Sequence, residues 1–240
     1  MKIPNKRSLC LLLFLLPQLH TAAQNSFDSS FADAVSVYRK TMGENIHLFT
    51  GSEYVDYDHR ITGNPLFNSL FFTKGFIIYD NIAYADIEIM YDILNDDVVI
   101  KNYTGKALLL TKEKISSFNL DGHYFVKIIT DSTVTGMKTG FYDVLNDGAT
   151  KLLVKRKKEL TEKIELENLE SSFTQHDQYY IMKDTVYHTV RDKRSALNVM
   201  KDRKSELTKF IRQDKLKFRK NFETALLKTV VYYNSLNTNR

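Results

Sequence analysis

The sequence predicts an α+β fold: a mainly antiparallel β meander, with room for strong curvature, preceded by one N-terminal helix and followed by two to three C-terminal helices. Three observations predict it. From about residue 75, short apolar and aromatic runs are punctuated by Asn-, Asp- and Gly-containing turns. Residues 29–43 carry a helical period, and beyond Arg191 that period returns. Strands followed by helices, rather than alternating with them, favour α+β over a parallel sheet.

The chain opens with Lys2, Lys6 and Arg7, then an apolar run from Leu9 to Leu16, then Pro17 and the small residues Thr21-Ala22-Ala23 before Gln24. That is the build of a secretory signal peptide over residues 1–23, cleaved after Ala23. The run is about half of the ~20 apolar residues a membrane span requires. The only cysteine, Cys10, lies within it and is misplaced for a lipid anchor. A mature chain without cysteine has no disulfide, thiolate nucleophile or zinc–cysteine site. No later apolar stretch reaches membrane-spanning length. Removing the leader also exposes a charge division. Residues 24–150 hold 10 Lys/Arg and 17 Asp/Glu, a net of −7; residues 151–240 hold 21 and 12, a net of +9.

Within residues 29–43, Phe31, Val35, Tyr38 and Met42 share one helical face; Ser29 or Ser30 can cap the start and Gly43 the end. Gly51, Gly63 and Pro65 mark turns between short extended pieces in residues 44–74. Four hairpin signals follow. They are Ile78-Tyr-Asp-Asn81, Tyr91-Asp-Ile-Leu-Asn-Asp-Asp97, its echo 51 residues later at Tyr142-Asp-Val-Leu-Asn-Asp-Gly148, and Tyr180-Ile-Met-Lys-Asp184. Asn, Asp and Gly accept the positive φ of tight hairpin turns, and Tyr, Ile and Val suit pleated flanks. The spacing approaches the blade period of some propellers, but two copies fall short of such a repeat. Further strands are expected near 107–110, 113–119 and 122–130. Residues 156–170 fit a helix through Leu160 and Ile164 and equally a strand through Ile164 and Leu166. Residues 24–190 thus form the helix-plus-sheet domain, and residues 191–240 a basic helical extension packing on the sheet. There Ser195 is expected to cap a turn through Met200. Asp202 is expected to cap a helix bearing Leu207, Phe210 and Ile211, and Asn221 one bearing Phe222, Leu226, Val230 and Tyr233.

Tyr79 to Val99, with its Tyr-Asp-x-x-x-Asp-x-Val pattern, resembles secreted proteins of Bacteroidota-type bacteria. So do Tyr179 to Asp184, Val190-Arg191, Lys193-Arg194-Ser195, Asp202-Arg203-Lys204, Tyr232-Tyr233-Asn234 and the Ala-Ala-Gln cleavage site. The resemblance implies an envelope location. That group has no assigned activity, so the resemblance adds no catalytic residue.

Two sets of residues are candidates for function. Asp56, Asp58 and His59 form the densest cluster of carboxylates and imidazole. Completed from afar by Glu53, His123 or His176, they would make a periplasmic hydrolase or metal-dependent enzyme. The alternative reading is a polar loop or edge strand. Asp92, Asp96, Asp97, Asp143 and Asp147 can be read as paired carboxylates for glycoside hydrolysis or as calcium ligands, but their repeated place beside Asn and Gly favours turns. The second set is Lys201, Arg203, Lys204, Lys209, Arg212, Lys215, Lys217, Arg219 and Lys220, interleaved with the apolar stripe of the C-terminal helices. In an exported protein such cations meet anionic lipid, lipopolysaccharide phosphates, acidic glycans or an envelope protein rather than nucleic acid. Nine glycines form no phosphate-cradling loop, no Gly-x-Ser-x-Gly elbow occurs, and no cofactor is implied. The expectation is an exported, non-catalytic binding or structural protein, in the periplasm or outside the cell, peripheral to the outer membrane.

If the leader is cut as read, the exported protein begins at Gln24. N-terminal sequencing of the secreted or periplasmic fraction checks this, and an intact Met1 there would refute it.

Overall fold

The computed structural model describes residues 47–130, 136–165 and 168–238. The chain divides into two compact units, Met1–His47 and Leu48–Arg240. The helix expected over residues 29–43 lies outside the described residues. The second unit is mainly an antiparallel β-sheet followed by three helices.

Eleven strands form the main sheet: β1 (Gly51–Glu53), β2 (Thr73–Tyr79), β3 (Ile82–Asp92), β4 (Asp97–Lys101), β5 (Ala107–Leu110), β6 (Ile115–Leu120), β7 (His123–Ile128), β8 (Gly140–Asp147), β9 (Lys151–Lys155), β12 (Gln178–Lys183) and β13 (Val186–Val190). Between β9 and β12, β10 (Lys158–Glu165) and β11 (Asn168–Gln175) form a separate two-stranded sheet, tied to the segment before β2 by a bridge between Thr62 and Ser172. The alternation through Ile164 therefore prevails over the helical reading of residues 156–170. The main sheet runs β1-β5-β4-β3-β2-β6-β7-β8-β9-β12-β13. Every pairing is antiparallel.

The turns explain the meander. Asp80 and Asn81 both take positive φ (54° and 63°), as do Asp184 and Thr185 (51° and 64°). These are the paired left-handed residues of a tight hairpin turn whose twist matches the strands it joins. Asp121-Gly122 does the same between β6 and β7, a hairpin the turn chemistry signals as strongly as the other four. In the β3–β4 turn, Asp92 Oδ1 accepts from the amides of Leu94 and Asn95 at 2.9 and 3.2 Å. The echo of that motif behaves differently. Tyr142 to Asp147 continue as strand β8, with a register shift between Val144 and Asn146, and the turn falls after Asp147.

The sheet curls. β3 and β8 are separated by β2, β6 and β7, which in a flat sheet sets them about 19 Å apart. Yet the Tyr91 ring lies 6.2 Å from the Phe141 ring. Asp96, in the β3–β4 turn, accepts from the Phe141 amide at 3.2 Å and pairs with Lys155 of β9 at 2.6 Å. That clasp passes so close to Gly140 that any Cβ there would collide with the Asp96 carboxylate. The concave face holds an aromatic core in which Phe118 stacks on Phe125 at 4.8 Å and Tyr91 meets both edge-on. Each such ring pair contributes about 0.5–1.5 kcal/mol beyond the area it buries. The opposite face of β3–β5 is covered by the segment before β2, through Tyr54, Leu66 and Phe72 against Met90 and Val99.

Three helices follow: α1 (Lys193–Val199), α2 (Lys204–Gln213) and α3 (Phe222–Thr238). Asp192, not Ser195, is the N-cap of α1. Its carboxylate accepts from the Ser195 amide at 2.7 Å, and Ser195 Oγ accepts in return from the Asp192 amide, a reciprocal capping box. Asp202 does not cap α2 either; it accepts from Lys183 at 2.5 Å and from the Tyr233 hydroxyl at 2.8 Å. Asn221 supplies the first backbone acceptor of α3, to Ala225, as its capping role predicts. The apolar stripes behave as the period demands: Leu207, Ile211, Leu226, Val230 and Tyr233 are buried against Leu152, Ile181 and Val190 of the sheet. At the end of α2, Lys215 adopts a left-handed φ of 52° and the Leu216 amide reaches back to the Ile211 carbonyl. This closes the helix as a glycine would.

This second core and the aromatic core lie on one face of the sheet, and Arg156 sits between them. Its five N–H donors are all used. Nε and Nη2 donate to Asp143 of β8 at 2.9 and 2.6 Å. Nη1 donates to Asp177 at 2.7 Å and to Glu223 of α3 at 2.6 Å, and Nη2 again to Glu223 at 3.1 Å. The guanidinium carbon lies 5.8 Å from the Phe67 ring centre. Asp143 is fully buried and Arg156 nearly so.

Removing one partner of such a pair leaves an uncompensated buried charge, so Arg156→Ala should cost about 3–5 kcal/mol. Denaturant melts measure it, and in a double-mutant cycle Asp143→Ala should cost much less once Arg156 is gone.

Candidate functional site

The structure places the Asp56–His59 segment on the covering loop before β2. Tyr57, not its charged neighbours, is the anchor. Its hydroxyl donates to the buried Asp92 at 3.0 Å, beside that of Tyr54 at 3.1 Å, and its ring meets Phe173 edge-on at 5.5 Å. Burial and the Asp92 carboxylate push both phenols above their ordinary range. Asp58 is held by Arg60, whose Nε donates at 2.9 Å; that bond keeps the carboxyl below the usual carboxylate range. His59 is 95% exposed. Asp56, Asp58 and His59 border a cleft of about 230 Å³, smaller than the ~300–1,000 Å³ usual for ligand sites. None of Glu53, His123 and His176 reaches that cleft. Among the described residues, no three His, Cys, Asp or Glu side chains are grouped to hold a metal ion.

His123 is instead drawn to the Arg156 cluster. Its Nδ1 lies 2.7 Å from Asp143 Oδ2, the oxygen that also accepts from Arg156. Its ring packs edge-on against Phe67 at 5.0 Å. Asp143 is therefore not a turn residue; strand alternation turns it inward beside Phe141, as the echo motif stays extended. The pairing has the look of the imidazole–carboxylate half of a catalytic triad. Among the described residues no hydroxyl bonds to the imidazole, and what the carboxylate holds is a structural guanidinium.

The nine cations from Lys201 to Lys220 distribute over the helices. Lys201 and Arg203 lie in a 3₁₀ turn, Lys204, Lys209 and Arg212 on α2, and Lys215, Lys217, Arg219 and Lys220 in the link to α3. All are exposed except the half-buried Arg203, which pairs with Glu206 at 3.3 Å. The acids of this region are engaged elsewhere: Asp192 in its capping box, Asp202 with Lys183, Asp214 with Lys228.

Three of the nine, Lys217, Arg219 and Lys220, meet at a cavity. They line an open groove of about 760 Å³ with Arg191, Lys193 and Arg194 from the β13–α1 junction. Its apolar lining is Leu216, Phe218 and Phe222. Six cations thus face one acid, Asp192, whose carboxylate is already occupied by Ser195. No ion pair engages those six cations among the described residues. The apolar floor is braced from below: Phe222 meets Phe218 at 5.9 Å and Tyr179 at 4.9 Å, and the Tyr179 hydroxyl donates to Glu223, the helix partner of Arg156. A smaller cavity of about 340 Å³ shares Arg191 and Phe222 as walls and carries the neutral polar side chains Gln178 and Thr189. The basic run signalled the loop half of the groove. The other half, Arg191, Lys193 and Arg194, belongs to a junction whose proximity only the fold creates.

Among the described residues no helix is long and apolar enough to cross a membrane. Comparison with protein-family models, curated proteins and solved structures finds no match for the chain.

The Asp143 hydrogen bond raises the His123 pKa above its ordinary 6.5, against partial desolvation. A raised folded-state value means that stability from protonated His123 is fully present below about pH 6.5 and is lost as pH rises through the folded value. Thermal melts from about pH 6 to pH 8 should show a decline that His123→Gln flattens.

Proposed function

We propose that this chain is exported to the cell envelope and acts there by binding, holding an anionic surface with its basic C-terminal helices. The observation that carries this reading is the concentration of largely exposed cations on α2, the α2–α3 link and the β13–α1 junction, six of which, from the link and the junction, surround a groove with an apolar floor. The basic, apolar and small-residue order of residues 1–23 supports export. An exported protein meets lipid phosphates and acidic glycolipids rather than nucleic acid, and each Lys or Arg near such a surface contributes about 1 kcal/mol of attraction. The sheet contributes rigidity: its concave face is packed with buried apolar side chains, among them Tyr91, Phe118, Phe125 and Phe141.

Sedimentation with vesicles tests the reading. The purified protein should bind vesicles of phosphatidylglycerol and phosphatidylcholine mixed, and not phosphatidylcholine alone. Raising NaCl from about 50 to about 500 mM should weaken binding at least about tenfold, because added salt screens exposed charge. Salt-insensitive binding, or none, would defeat the proposal.

A further inference from the structure

The groove between the β13–α1 junction and the α2–α3 link is more than a basic surface. Adsorption to an anionic sheet of head groups requires exposed cations and nothing else. Here the cations surround an apolar floor, and the composition of the lining narrows what fits. It contains cationic side chains, one occupied carboxylate and three apolar side chains, but no hydroxyl or amide side chain. An acidic glycan presents many hydroxyls, each of which needs a hydrogen-bond partner when it is taken out of water. An anion joined to a hydrocarbon chain needs what this lining offers.

We infer that the groove binds one anionic phospholipid, its phosphate held by Arg191, Arg194 and Arg219 and an acyl chain laid over Leu216, Phe218 and Phe222. Guanidinium groups suit a phosphate because their paired N–H donors match its oxygens. The volume of about 760 Å³ is that of a site for one ligand, not a broad patch. The floor is built before any ligand arrives. Phe218, Phe222 and Tyr179 brace one another, and Tyr179 is tied through Glu223 to the buried Arg156. Binding to a prearranged floor avoids the ordering cost a loose surface would incur. The inference rests on the anionic-surface reading and deepens it, by naming the ligand and separating three guanidinium groups from the remaining cations.

The test uses a short-chain phosphatidylglycerol held below the concentration at which it forms micelles, titrated calorimetrically into the purified protein. One lipid should bind per chain. The triple variant Arg191→Gln, Arg194→Gln, Arg219→Gln should weaken binding at least about tenfold. A charge-matched triple on exposed sheet and hairpin lysines, Lys74→Gln, Lys106→Gln and Lys163→Gln, should stay within about twofold. Glycerol phosphate and inorganic phosphate should bind at least about tenfold more weakly than the lipid. Should the groove triple fail to fold, the single variants Arg191→Gln and Arg219→Gln, at exposed positions, should each still weaken binding about threefold or more. Equal loss in both triples would overturn the inference, as would equal binding of glycerol phosphate. If monomeric lipid does not bind while salt-sensitive vesicle binding persists, the groove inference alone fails. If neither occurs, the surface reading fails with it.

Discussion

Arg156 is the interaction on which the rest of this structure depends. A guanidinium stripped of water is stable only when its donors are satisfied and its charge is balanced. Here five donors meet three carboxylates from three separate parts of the chain: Asp143 on β8, Asp177 before β12, and Glu223 on α3. Those partners fix where the last helix lies on the sheet. They also mark the seam between an aromatic core enclosed by the curled strands and an aliphatic core beneath the helices. With a single cysteine in its sequence the chain can form no internal disulfide, and this buried cluster does by charge and geometry what a cross-link would do by covalency.

The cluster reaches the surface through a short series of contacts. Glu223 accepts from the Tyr179 hydroxyl, the Tyr179 ring meets Phe222, and Phe222 forms the groove floor with Phe218. A group buried for stability thereby sets the shape of the groove at the surface. The same division governs the charges. The acids of the C-terminal region are consumed by caps, a buried cluster and short-range pairs, whereas most of its Lys and Arg side chains extend into solvent. Around the groove six cations face one carboxylate, so the local field is more positive than the net charge of the second half conveys.

Much of the fold was legible from local chemistry. Asp80-Asn81 and Asp184-Thr185 turn where their side chains tolerate positive φ, and Leu207, Ile211, Leu226 and Val230 bury the face their period predicts. Errors arose where one residue type serves two purposes. Asp143 has the sequence context of a turn aspartate but stays in the strand, because a register shift lets β8 run past the motif. Ser195 and Asp202 look equally suited to capping; Asp192 takes the first role, and Lys183 and Tyr233 take Asp202 away from the second. The ambiguity of residues 156–170 was resolved by pairing, since each strand of that hairpin supplies the other's hydrogen bonds.

The candidate site divides along the same line. Sequence alone determined the basic stretch and the apolar stripe that anchors it. These depend on residue type and on spacings within about ten residues. Only the tertiary structure decided that Arg191 and Arg194 stand across a groove from Arg219, that Tyr57 rather than Asp58 or His59 is the fixed member of its cluster, and that His123 belongs to Asp143. Those outcomes depend on strand register, sheet curvature and the docking of α3 on Arg156. Each is a compromise among many distant contacts, and no short window of sequence contains its terms.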